Sequence, residues 1–199
     1  NTPVINGEHC LAGCVPVATS QLMAYWKYPA SINGTSMQWD SLNSGSLAIQ
    51  ENKELHGPLY RSQVAMLLSY VGQSINTDYT LDGSGAYMSD AVSFLSSLGY
   101  VTSGVSNYSE SSINSSIYSG RPVIIRGTRL SDDNEYKGHC WLIDRYITQT
   151  TTTTVTTLHI VTYRNDNTGE LEYESWETTN TQRHNDYFYR CNWGWHRDH

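Results

Sequence analysis

Apolar positions along the first 120 residues recur at helical spacing. From Cys14 to about Tyr28, Val15, Ala18, Leu22 and Tyr25 fall on one face, and Pro29 forbids much continuation. Cys14 therefore stands at a helix N-terminus. A polar loop from Ser31 to Ser46 follows. Val64, Leu67, Leu68 and Val71 then mark a helix from about Ser62 to Val71, ending at Gly72. Met88 to Leu98, stopped by Gly99, and Ser112 to Ser119, stopped by Gly120 ahead of Pro122, predict two more. After Arg121 the pattern changes. Pro122 to Ile125, Cys140 to Ile143, Thr150 to Thr156, Leu158 to Tyr163, Leu171 to Trp176 and Tyr187 to Trp193 read as strands. The β-branched run Thr150 to Thr157 suits an exposed strand, and Asn165 to Gly169 offers a turn, so this stretch predicts a long hairpin. The chain reads as α+β: a helical lobe over 1–120 and a sheet lobe over 121–199, with no internal repeat and no linker separating independent domains.

Charge narrows the function classes. Twelve Lys and Arg against nineteen Asp and Glu give a net charge of -7, with no basic cluster to follow a phosphate backbone. Nucleic acid is not an expected partner. No apolar run approaches the ~20 residues of a membrane span, and no charged-then-apolar signal segment opens the chain at Asn1. An exported form is therefore expected to have lost its targeting segment. A chain rich in Ser, Thr, Asn and Tyr, with only Lys27, Lys53 and Lys137 as lysines, fits a location outside the cytoplasm.

Acyl transfer by a thiol needs a thiolate, a base beside it and a group that holds the base in the right tautomer. Gly13-Cys14-Val15 places a thiol where free backbone N–H groups and the helix dipole favour the thiolate. The Cys14 N–H can also face an oxyanion. Gly138-His139-Cys140-Trp141 puts an imidazole at the start of an apolar strand. Cys191-Asn192-Trp193-Gly194-Trp195 supplies a carboxamide acceptor and indoles to shield it. The candidate order is Cys14, His139, Asn192. Asp144 is the alternative orienter, but it lies roughly 16 Å from His139 along one strand at ~3.3 Å per residue, and reads as structural. Strand alternation turns Cys140 and Cys191 away from His139 and Asn192, as reduced core thiols or a cross-strand pair, and the former is the reading taken. Cys10 reads as a structural or free thiol. Cys10 and Cys14 lack zinc-knuckle spacing, which argues against a metal site with His9, His139 and Cys140. His159, His184, His196 and His199 read as solvated.

The block Gly13 to Tyr25, followed by Tyr28-Pro29, resembles the nucleophile helix of the streptopain family of cysteine peptidases. Gly120-Arg121-Pro122-Val123 leading to Gly138-His139 and Ile143-Asp144 resembles that family's histidine strand, and Asn192-Trp193-Gly194-Trp195 its closing signature. Ala65 to Gly72 and Gly83 to Ala86 agree as well. The resemblance implies a papain-like fold, a helical lobe followed by an antiparallel β-barrel-like lobe with the active site in the cleft between them. It implies a bacterial endopeptidase, secreted or in the cell envelope or periplasm, made as a zymogen. It further implies a preference for an apolar side chain upstream of the scissile bond, with Cys14, His139 and Asn192 catalytic. By the same resemblance, Trp193 and Trp195 shield the site, and Ser84 and Gly85 line the cleft.

Where the family often carries a Gln oxyanion donor this chain has Arg126, so the second donor is placed only near Arg126. The Thr-rich hairpin reads as an insertion, and the C-terminal end as incomplete, to be completed by residues or a chain elsewhere. No metal or organic cofactor is required, and the expected partners are protein or peptide substrates and a propeptide or second chain. Two rivals remain: an acyltransferase of transglutaminase type, which requires a carboxylate orienter, and an inactive papain-like binding module.

Overall fold

The computed structural model describes residues 2–42, 58–130 and 136–194. Helix α1, Cys14–Trp26, follows Gly13 at φ 86° and closes on Lys27 in the left-handed region at φ 52°. Lys27 N–H donates to Ala24 O and Tyr28 N–H to Met23 O, a Schellman-type stop just ahead of Pro29. Helix α2 is Pro58–Ser74, α3 Met88–Ser97 and α4 Glu110–Tyr118, the last capped by Ser109 Oγ accepting from Ser112 N–H. The predicted stop at Gly72 is two residues early, and for a physical reason. A Cβ there would lie 2.0 Å from the Tyr79 hydroxyl, so this glycine admits a packed tyrosine rather than ending the helix.

The polar segments near the start hold two tight hairpins that the helical reading passed over. They are β1 (Val4–Ile5) with β2 (Glu8–His9), and β3 (Ser31–Ile32) with β4 (Thr35–Ser36). Each turns through Asn-Gly with both residues at positive φ: Asn6 at 54° and Gly7 at 87°, Asn33 at 48° and Gly34 at 76°. Residues 43–46 of the predicted loop lie outside the described residues.

Strands β5 (Val123–Leu130), β6 (Tyr136–Arg164) and β7 (Leu171–Asn192) form one sheet in the order β5-β6-β7. β5 and β6 are antiparallel, with Gly127 opposite His139 and Arg126 opposite Cys140. Three predicted strands merge into β6 and two into β7, because no Gly or Pro falls between Cys140 and Tyr163 or between Leu171 and Asn192 to interrupt the ladder. Pairing with β5 reaches only to Ile143, so the described strands make an open sheet. The barrel-like closure expected for this lobe is not formed by them.

The chain divides into two compact units, Asn1–Arg145 with Tyr189–His199, and Tyr146–Phe188. The first has a core built on Met23, Val71 and Ile75, all 0 % exposed, with Leu67, Phe94 and Leu95 around them and Cys140 from the sheet. That core carries the back of α1 and the inner face of β6. The second unit is the outer part of the β6–β7 hairpin, turned by Asn165 to Gly169 as the composition implied. Asn165 Oδ1 accepts from Asn167 and Thr168 N–H, and Gly169 sits at φ 72°.

Candidate active site

Gly13 delivers Cys14 to the first turn of α1, where the end of the helix leaves backbone N–H groups unpaired within the helix. The glycine is required by its positive φ and by space: a Cβ would stand 3.0 Å from the Ser84 carbonyl oxygen. Ser84 therefore backs the turn that leads into Cys14. Its hydroxyl is spent on its own loop, accepting from Thr80 N–H at 3.0 Å and donating to Thr80 O at 3.2 Å. Leu11 N–H donates to that same Thr80 carbonyl and ties the loop to the segment entering Cys14. Gly85 is exposed and pairs with Asp78 in a two-bond bridge.

On β6, His139 and Trp141 share one face while Cys140 and Leu142 enter the core, each 2 % exposed. His139 Nε2 lies 2.9 Å from the Trp193 carbonyl oxygen. A carbonyl only accepts, so Nε2 carries the hydrogen and Nδ1 is the basic nitrogen. Around the ring stands an aromatic platform. His139 stacks near Trp141 (5.9 Å, 19°) and Trp193 (6.2 Å, 17°), whose own rings are 4.7 Å apart. Gly127, opposite His139, makes room for it, since a Cβ there would come within 2.9 Å of Trp141 Cη2.

Asn192 holds the Trp193 turn from below. Its Oδ1 accepts from Gln21 Nε2 at 2.8 Å and from Gly194 N–H at 3.4 Å. Gly194, at φ 72°, lies against α1, where a Cβ would meet Val17 Cγ1 at 2.6 Å. Asp144, read as structural, takes a two-pronged ion pair from Arg190, Nε to Oδ1 at 2.7 Å and Nη2 to Oδ2, fastening β7 to β6 just before Asn192.

All four cysteines are free thiols, Cys10 and Cys140 buried and Cys14 and Cys191 partly so. Burial, the largest influence, pushes the Cys140 thiol up to about 12; Cys14 adds to this and Arg126 opposes it. Cys140 Sγ instead points a weak donor at Met88 Sδ, 3.6 Å away. Cys191 is also raised by burial, against a partial offset from Trp141. These are thiols held neutral, unlike what a nucleophile needs. Arg126 sits across from Cys140 with its guanidinium over Gly138, 3.5 Å from where a Cβ would be. Trp195 lies outside the described residues.

The site thus unites His139, Trp193 and Asn192 with Gln21, a residue that sequence reasoning did not single out. Its signal was present: Cys14, Val17 and Gln21 follow i, i+3, i+7 spacing, one stripe of a helix.

A thiol at a helix start, an imidazole bonded to a backbone carbonyl and an indole beside it are the side chains a thiol-dependent acyl hydrolase uses. The chain matches the model of the Peptidase C10 family over residues 1–197 and belongs to that family, the streptopain family of the resemblance above. It is a cysteine peptidase. Among solved structures it is similar to active wild-type interpain A, a cysteine protease of Prevotella intermedia, at 23% sequence identity and a TM-score of 0.54, covering 72% of this chain and 69% of that one. That likeness shows a shared mixed helix-and-sheet fold. No curated protein sequence matches the chain.

Proposed function

We propose that the chain hydrolyses internal peptide bonds through a thioester on Cys14, with His139 as base and then acid. The observation that carries this is the 2.9 Å contact of His139 Nε2 with the Trp193 carbonyl, which leaves Nδ1 as the proton-accepting nitrogen. The Cys14 sulfur, having given its proton to Nδ1, attacks the peptide carbonyl carbon and forms a C–S bond. The Cys14 N–H and a donor near Arg126 stabilise the oxyanion. The imidazolium returns its proton to the departing amine as the C–N bond breaks. Water, deprotonated by Nδ1, then releases the acyl group and the thiol.

In this reading the acceptor that orients His139 is the Trp193 carbonyl, and Asn192 contributes by fixing the turn that presents it. Trp193 and Trp195 shield the site, and Ser84 and Gly85 line its approach. A preference for an apolar side chain upstream of the scissile bond, synthesis as a zymogen and secretion are part of this proposal, with family membership as their support. Among the described residues no helix is long and apolar enough to cross a membrane. The transglutaminase-type alternative calls for a carboxylate orienter, and the carboxylate on the histidine strand, Asp144, is engaged by Arg190.

Reaction of reduced, folded protein with an epoxide inhibitor of cysteine peptidases, followed by peptide mapping, is expected to find the adduct on Cys14. Cys14→Ala is expected to lose cleavage of a denatured protein substrate by on the order of 10⁴-fold or more. Absence of a Cys14 adduct, or cleavage that survives in Cys14→Ala, would sink the proposal. Incorporation of an added amine faster than hydrolysis would favour the acyltransferase.

A further inference from the structure

We infer that Gln21 is a positioning residue for catalysis, acting through Asn192 and the Trp193 carbonyl to set the His139 imidazole relative to the nucleophile on its own helix. The inference deepens the peptidase reading and depends on it.

Four contacts form the chain of action. Gln21 Nε2 donates to Asn192 Oδ1 at 2.8 Å. Asn192 Oδ1 also accepts from Gly194 N–H, closing an Asx-type turn around Trp193. Gly194 lies against Val17, one helical turn above Gln21, where only a residue without Cβ fits. The carbonyl of Trp193, at the centre of that turn, meets His139 Nε2 at 2.9 Å. Helix α1 therefore carries the thiol at Cys14 and, seven residues on along the same stripe, the support for the base's acceptor. One rigid element fixes both ends of the thiol–imidazole geometry.

The chemistry of residue 21 favours this role over simple packing. Gln21 Oε1 is buried with no partner among the described residues, a cost an apolar residue would avoid. Nε2 is the atom in use. Asn192 Oδ1 is already committed to two donors, so it serves the site as an anchor and the backbone carbonyl beside it as the orienter.

Loss of Gln21 leaves thiol and imidazole in the protein but frees the Asn192 turn to shift. Misplacement of that order lowers rates about 100-fold without removing substrate contacts. Gln21→Leu is thus expected to lower kcat about 10-fold to 100-fold at nearly constant KM, and to move the acid limb of the kcat/KM profile to higher pH, because a displaced imidazolium supports the thiolate less well. Asn192→Leu is expected to match Gln21→Leu, since either change removes the bond between the two side chains. In the double variant Gln21→Leu/Asn192→Leu the losses should not multiply.

The measurement is steady-state kinetics across pH on a fluorogenic peptide, with circular dichroism to confirm folding. Where Gln21→Leu does not fold, Gln21→Glu, which keeps size but not the donor, takes its place with the same expectation. Wild-type kcat and pH profile in a folded Gln21 variant, or losses that multiply in the double variant, overturn the positioning role while leaving the peptidase intact. A wild-type protein that neither cleaves peptides nor reacts at Cys14 overturns the peptidase reading, and the positioning role with it.

Discussion

The two compact units of this chain are built on different physics. The first, Asn1–Arg145 with Tyr189–His199, gathers Met23, Val71, Phe94 and Leu95 from three helices, and Ile75 from the turn after α2, into a core that excludes water. In the second, Tyr146–Phe188, no residue is buried, and Val155 is 55 % exposed. What holds that ribbon is cross-strand pairing: Thr150 with Asn185, Thr154 with Thr181, Thr156 with Thr179, and the His159 ring stacked on Trp176 at 5.1 Å. Such pairs contribute a few tenths of a kcal/mol to about 1 kcal/mol each, and two-stranded ribbons are marginal on their own. All the chemistry described above sits in the first unit. A site needs side chains held by a packed second layer, and the ribbon has none to offer.

The largest test of this contrast is a pair of truncations. Met23→Ala is expected to cost about 2–5 kcal/mol in urea unfolding, and Val155→Ala less than about 0.5 kcal/mol. Comparable costs would mean that the ribbon has a core of its own. Next in size, Gly127→Val drives a branched side chain into Trp141. It is expected to destabilise by about 1–3 kcal/mol and to change the near-ultraviolet circular dichroism of the Trp141–Trp193–His139 stack. An unchanged aromatic spectrum would show that the platform does not depend on the bare strand opposite it.

The alkaline limb of stability offers a third test. Cys140 ionises at about 12 in the folded protein against 9.0 for an ordinary thiol, so the unfolded chain releases its proton first. Its stabilising effect is fully present below pH 9 and is lost as pH rises toward 12, at up to about 1.4 kcal/mol per pH unit. Urea midpoints from pH 9 to 11 should fall less steeply in Cys140→Ala than in the wild type, whereas Thr154→Ala should leave the slope unchanged. The smallest effect is that of Thr154→Ala at neutral pH, about 0.2–1 kcal/mol or less. It should register as faster amide exchange in the strands around residue 154 rather than as a shift of the global unfolding midpoint. A global shift would join the two units into one cooperative block.

The helices were legible because an amphipathic face repeats every 3.6 residues and needs no knowledge of its partner. Val15, Ala18 and Leu22 predicted α1 to within two residues of its observed end. The Asn6-Gly7 and Asn33-Gly34 hairpins carried an equally local signal and were passed over for want of flanking strands longer than two residues. Gly72 and Gly127 were a different matter. Both are glycines for the sake of a distant aromatic ring, Tyr79 and Trp141, and no local rule shows that ring.

Cys14, His139 and the Asn192-Trp193 segment were singled out as candidates by sequence, through residue type, position at element ends and order along the chain. Their connection was decided only by tertiary structure. That Nε2 of His139 meets a backbone carbonyl rather than leaving all orientation to a side chain, that Asn192 is claimed by Gln21, and that Asp144 belongs to Arg190 all depend on which strand and helix faces meet. Hydrogen bonds are short and directional, so their partners follow from packing at the scale of an ångström, which a one-dimensional pattern of residue types does not encode.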